Sequence, residues 1–282
     1  MIERAPPRSW LFVPADSNKK MMRALESGAD AVIFDLEDSV APAQKALARE
    51  LLGLLPDRRD GGPERWVRIN PLGTEEQRDD LDALDCFDID GVVQPKAACG
   101  DDVADLAAEL APRDLPIHAI VTETAASLFS LLSYRDCCPG LAAMSWGAED
   151  LSAALGASSK YSARGELAFT YQLARSLCLA GARAAQVQPV DGVFADFRDE
   201  AGLIEEARAA AAEGFAGKLA IHPAQVGPIN SAFTPSQTEI DHARAIVDAF
   251  EAQPDAGVLS IGGKMVDLPH LVQARRVLAR SR

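Results

Sequence analysis

Eight short apolar runs recur along this chain, each separated from the next by a stretch with helical spacing. They read as strands at 9–15, 31–37, 65–70, 91–95, 117–122, 141–146, 185–190 and 218–222, rich in Val, Ile, Phe or Ala and bounded by Gly, Pro or Asp. The Ala- and Leu-rich segments between them, 17–27, 42–55, 74–84, 101–111, 125–135, 165–180 and 199–213, are predicted helices. Strand–helix alternation imposes parallel pairing with crossover helices. Eight such units favour closure into a TIM (β/α)8 barrel over an open sheet.

The ends of these runs carry the chemistry. SWLFVPAD ends at Asp16, AVIFDLED at Glu37 and Asp38, and RWVRIN at Asn70 with Arg68 inside it. GVVQPK ends at Lys96, HAIVTET carries Glu123, and MSWGAED ends at Glu149 and Asp150. VQPVD ends at Asp191 and LAIHP carries His222. Barrels of this kind build their active sites where the C-terminal strand ends meet, so the pattern predicts an enzyme. No GxGxxG follows the first strand and no GxxxxGK[ST] occurs anywhere, which removes the main support for dinucleotide or P-loop folds.

Length is sufficient for one barrel, taken as 1–235, with a C-terminal helical extension at 236–282. Thr234-Pro235-Ser236 introduces an amphipathic helix from about Gln237 to Gln253, followed by the alternating GVLSIGGKMVD and a basic helix, PHLVQARRVLARS. The segment after the eighth strand, PAQVGPINSAF, reads as chain leaving the barrel, and 147–164 as a long loop of the kind that often serves as a lid. A formal net charge of −14 argues against nucleic acid or an anionic membrane as partner. MIERAPPRSW lacks the apolar core of a signal peptide, so a soluble cytoplasmic protein is expected. Five scattered cysteines, without CxxC or zinc-ligand spacing, read as reduced thiols.

Glu123 and Asp150 fall at the ends of adjacent strands, where two hard carboxylates suit Mg²⁺ (or Mn²⁺); the alternative is a pair of solvated loop acids. Arg68 is a candidate carboxylate binder or a structural ion-pair partner inside the barrel. Glu37 and Asp38 could orient Arg68 or hold metal-bound water. Asn70 and Lys96 read equally as site residues and as braces of the rim, and His222 as an acid–base group or a cap of its turn. Lys19, Lys20 and Arg23 after the first strand, with Lys45 and Arg49 after the second, could meet phosphates or simply line solvated helix faces.

Taken together, RSWLFVPAD, DAVIFDLEDSVAPAQKALAR, VRIN, QPK, TETA, WGAEDL, VDGVFADF, GKLAIHPAQ and GKMVDLPHL resemble the citrate lyase β-subunit-like proteins of the HpcH/HpaI aldolase superfamily. The likeness runs from Arg8 to at least His270. It implies a TIM barrel, a divalent metal held by Glu123 and Asp150, and carbon–carbon bond cleavage in coenzyme A or carrier-bound thioesters of hydroxy-dicarboxylic acids. Arg68 and Glu37 are taken as catalytic residues, and Arg68 and Glu123 as substrate-binding ones, the resemblance supporting substrate binding by Arg68. Arg8 joins Lys19, Lys20, Arg23, Lys45 and Arg49 as a coenzyme A contact. Asp267, by itself a turn acid, becomes the catalytic acid–base group delivered to an adjacent subunit of a trimer or hexamer.

The leading expectation is a lyase releasing an acyl-CoA with glyoxylate or pyruvate from a substrate such as malyl-CoA or citramalyl-CoA. Its competitors are a citrate lyase β subunit working with an acyl-carrier partner, a malyl-CoA thioesterase, and a non-catalytic acyl-CoA-binding protein. Ala15, Thr122 and Trp146 depart from the common family form at strand ends, where they are expected to bear on which acyl group fits.

Overall fold

A computed structural model describes residues 5–111 and 113–281. It divides the chain into two compact units, Pro7–Asn230 and Ser231–Arg282 with Met1–Pro6. The first contains eight parallel strands: β1 (Ser9–Pro14), β2 (Ala31–Asp35), β3 (Glu64–Arg68), β4 (Gly91–Gln94), β5 (Ile117–Ile120), β6 (Leu141–Ser145), β7 (Gln188–Asp191) and β8 (Gly217–Ala220). Each pairs with its sequence neighbours, and β8 closes on β1 through Ser9↔Lys218 and Leu11↔Ala220. The barrel is therefore the (β/α)8 form that the alternation predicts.

Its interior is filled by alternate residues of each strand. Trp10, Ile33, Trp66, Val93, Ile120, Val190 and Leu219 form one buried cluster. Trp10 and Trp66 meet edge to face at 5.0 Å, and the His118 ring packs on Trp10 at 4.7 Å. Two indoles in so narrow a space demand a bare backbone opposite: a Cβ on Gly91 would overlap the Trp66 ring. Burial drives the His118 pKa down to about 3, so the ring is neutral at any working pH and serves as core.

Three predicted segments take a different form. The helix expected at 125–135 is two 3₁₀ turns, Ser127–Phe129 and Leu131–Tyr134. Ser127 and Ser133 hydroxyls donate to Thr124 and Ser130 carbonyls at 2.6 Å, local bonds that compete with the α-helical ladder. The expected long loop after β6 begins instead with a helix, Ala148–Ala154, whose first turn carries Glu149 and Asp150, where acids complement the helix dipole. The segment after β8, read without an element of its own before the helix at 237, carries a helix at Val226–Phe233.

In the second unit, a capping box of Ser236 and Glu239 starts the helix Gln237–Ala252. Strands β9 (Val258–Ile261) and β10 (Lys264–Asp267) form a hairpin about Gly262-Gly263, both at positive φ, as a tight two-residue turn requires. A last helix, Leu268–Arg280, follows. Its core is small: Ala243, Ile246, Phe250, Val266, Leu271 and Ala274. Among the described residues no helix is long and apolar enough to cross a membrane.

Candidate active site

The strand period of two places Asp35 on the inward face with Ala31 and Ile33, and Glu37 follows two residues later. Asp35 takes the Arg68 side chain in a fork, accepting from Nε at 2.7 Å and from Nη2 at 2.6 Å. The same carboxylate accepts the backbone N–H of Glu37 at 2.9 Å and of Ser39 at 3.1 Å, which folds the rim loop over it. Arg68 Nη1 lies 2.9 Å from Glu37 Oε2, and the guanidinium stacks on Phe12 at 4.8 Å. Burial alone would raise the Asp35 pKa, but the charge and hydrogen bonds of Arg68 prevail and hold it below the ordinary carboxylate value. Burial likewise opposes the Arg68 charge, and Asp35 and Glu37 more than restore it. Of the five guanidinium N–H donors, Asp35 takes the Nε donor and one on Nη2, while Nη1 stands against Glu37 as an ion pair.

Across the rim stand Glu123, three residues beyond β5, and Asp150. Glu123 Oε2 accepts the Lys96 backbone N–H at 2.6 Å. Burial raises its pKa to about 8, with the nearby Asp150 charge adding to the effect and Arg68 opposing it. Gly147 makes this position possible, because a Cβ there would sit 2.8 Å from Glu123 Cγ. The Lys96 ammonium binds Glu37 Oε1 and lies 3.3 Å from Asp38 and 3.6 Å from Asp150. Glu37 is raised above its ordinary value by burial, which Arg68 and Lys96 only partly offset.

The donor set tests the expected metal. Among the described residues no three acidic, histidine or cysteine side chains converge into a closed cage. Glu123 and Asp150 instead offer an all-oxygen pair, which fits a hard cation that keeps positions for water and substrate. Buried Glu37 Oε2 faces Arg68 Nη1 at 2.9 Å as an ion-pair contact, without a directed hydrogen bond.

The cationic candidates separate. Lys20 and Arg23, on the helix Asn18–Leu25, line a cleft of about 610 Å³ with Phe12, Pro14, Ile221 and His222; Lys19 is exposed on the same helix. Lys45 and Arg49 are braces: Lys45 Nζ donates to Leu36 O and Asn70 Oδ1 at 2.7 Å, and Arg49 pairs with buried Asp80 at 2.7 Å. Asn70 belongs to the same brace through Asp80. Arg8 precedes β1 and forks onto Asp30, before β2, at the end of the barrel opposite Glu37 and Glu123. The structure therefore does not bring Arg8, Lys45 or Arg49 into one phosphate-facing cluster with Lys20 and Arg23.

Other strand-end residues make contacts within the scaffold. Asp191 is buried with Lys218 and Arg175, each at 2.8 Å; burial would raise its pKa, but the two cations lower it to about 2. The Trp146 indole donates to that carboxylate at 2.8 Å, and the Thr122 hydroxyl accepts the Gly147 N–H at 3.3 Å. Two of the family departures thus shape the scaffold of the β6 turn. His222 accepts the Ala224 N–H as a cap and stacks on Phe197 at 4.6 Å. Asp267, in the C-terminal unit, caps the last helix and sits 2.5 Å from His270 Nδ1, whose hydrogen bond lowers its pKa. Asp35, which lies inside its run and not at the run's end, joins the candidate site by holding Arg68; its inward register with Ala31 and Ile33 is the signal in the sequence.

A closed parallel barrel whose C-terminal rim gathers buried acids around an arginine and a lysine defines the (β/α)8 class of enzymes. Residues 8–223 match the model of the HpcH/HpaI aldolase/citrate lyase family, and the chain belongs to that family. It is 39% identical over 279 residues to a (3S)-malyl-CoA thioesterase of Cereibacter sphaeroides strain KD131, covering 98% of this chain and 95% of that one. It is equally 39% identical over 279 residues to a citrate lyase subunit beta-like protein of Mycobacterium tuberculosis, covering 99% and 97%. The crystal structure of CitE from Mycobacterium tuberculosis in complex with magnesium, acetoacetate and coenzyme A superposes with a TM-score of 0.82, at 37% identity and 98% coverage of both chains.

Proposed function

We propose that the protein is a Mg²⁺-dependent carbon–carbon lyase, cleaving a hydroxy-dicarboxylyl-CoA thioester such as malyl-CoA or citramalyl-CoA into an acyl-CoA and glyoxylate or pyruvate. Arg68, paired with Asp35 and Glu37, stands on one rim with Glu123 and Asp150, and this carries the reading. Mg²⁺ held by Glu123 and Asp150 would supply Lewis-acid polarisation and a template for the oxo-acid half. Arg68, held in place by Asp35 and Glu37, presents its remaining Nη donors to the substrate carboxylate or to the thioester oxygen, where negative charge grows during cleavage. Lys20 and Arg23 offer the phosphates of coenzyme A two cations at the mouth of an apolar cleft. Asp267 from a neighbouring copy supplies the acid–base group, which makes the active enzyme a homo-oligomer, a trimer or hexamer, in the cytoplasm.

The resemblance to a (3S)-malyl-CoA thioesterase favours one second reading, in which water captures the acyl group and free coenzyme A is released. Incubating the protein and Mg²⁺ with a panel of acyl-CoA thioesters separates the two. Glyoxylate or pyruvate appearing with an intact acyl-CoA marks the lyase; free thiol appearing with a hydroxy-dicarboxylate marks hydrolysis. Turnover of no thioester in the panel would refute both.

A further inference from the structure

Lys96 stands just beyond β4 with φ +53, a left-handed backbone that residues bearing a Cβ seldom adopt. That twist lets one residue address the acids of the rim from both of its ends. The backbone N–H reaches Glu123, and the side chain returns across the rim to Glu37, Asp38 and Asp150. Arg68 is already committed to Asp35 and Glu37. Among the described ion pairs, the cation beside Asp150 is Lys96.

We propose that Lys96 is a positioning residue whose ammonium also acts as a built-in counter-cation, competing with a divalent metal for the rim acids. This rests on the metal reading above. Without metal, the ammonium offsets repulsion among Glu37, Asp38 and Asp150 and keeps the rim assembled. A metal carried by Glu123 and Asp150 must share Asp150 with a fixed positive charge, so the site binds metal more weakly than its acids alone would. The sense of such a device is joint loading. An acid substrate brings negative charge and further oxygen ligands, so metal and substrate bind more tightly together than apart.

Mn²⁺ alone, titrated into the metal-free full chain and followed by calorimetry or by the electron paramagnetic resonance of free Mn²⁺, tests this. Lys96→Met should bind Mn²⁺ about tenfold tighter, an ammonium 3.6 Å from Asp150 having been removed from a partly exposed site. Lys96→Arg, which keeps the charge, should stay near wild type. Metal-free Lys96→Met should melt below wild type, and saturating Mn²⁺ should close that gap, which loss of a merely structural contact would not do. Should Lys96→Met fail to fold, Lys96→Gln is read in the same way. Unchanged or weaker Mn²⁺ binding in the neutral variants, with wild type binding normally, overturns the competition while leaving the metal site standing. A wild type that binds no Mn²⁺ overturns both.

Discussion

Replacing Asp35 with Asn tests how the rim is held together. Each Asp35 oxygen accepts two hydrogen bonds, one from the backbone and one from Arg68: Glu37 N and Nε on Oδ1, Ser39 N and Nη2 on Oδ2. An amide must turn its NH₂ toward one of these donor pairs, whichever way it is flipped, so two donors lose an acceptor and face a third. The pair is shielded, with side-chain exposures of 12% for Arg68 and 2% for Asp35. Removing one member of a buried pair costs about 3–5 kcal/mol. Arg68 keeps Glu37 at 2.9 Å, which places the expected loss at the low end, about 3 kcal/mol. For a chain of this size that lowers the melting temperature by about 6–12 °C. The folded-state pKa of Asp35 is depressed, so its contribution is present above the unfolded carboxylate value and is lost as pH falls through the folded one. Urea unfolding at pH 7 should therefore show the full loss, and the gap to wild type should shrink below about pH 4. A loss under about 1 kcal/mol at pH 7, or a gap independent of pH, would refute the account of Asp35 as the anchor of Arg68.

In metal-free protein the Glu123 pKa stands above its unfolded value, at about 8, so its contribution to stability is full below the unfolded value and is lost as pH rises toward 8. Glu123→Gln should flatten that decline in urea titrations run across the window; an unchanged slope would place the titration elsewhere. Arg68→Lys keeps the charge but neither the fork onto Asp35 nor the paired Nη donors, and kcat/KM on the best thioester should fall by about 10²-fold. Near-normal kinetics would make Arg68 a brace only. Asp267→Ala and Glu123→Ala chains, each inactive, should regain activity when co-refolded into mixed oligomers, since some sites then receive both intact halves. Verified mixed oligomers without activity would mean that Asp267 serves its own barrel or does no chemistry.

Fold class was legible in the linear chain because a parallel barrel repeats one local unit, and hydrophobic periodicity reports each unit without reference to the others. The positions of Glu37, Arg68, Glu123 and Asp150 followed for the same reason: a strand's end is a local property, and the barrel gathers those ends on one face. Run ends alone did not separate the acids of the candidate site from those that brace the scaffold. Asp191 closes its apolar run as Glu37 and Asp38 close theirs, yet Lys218 and Arg175, 27 and 16 residues away, convert it into a buried brace. Lys45 and Lys20 are both exposed-looking lysines of early helices. The first is drawn onto Leu36 O and Asn70, and the second is left on the wall of a cleft. Those outcomes depend on which charges come within about 4 Å after folding. Linear order carries local periodicity faithfully and says little about such distances, so the choice between scaffold and site belonged to the tertiary structure.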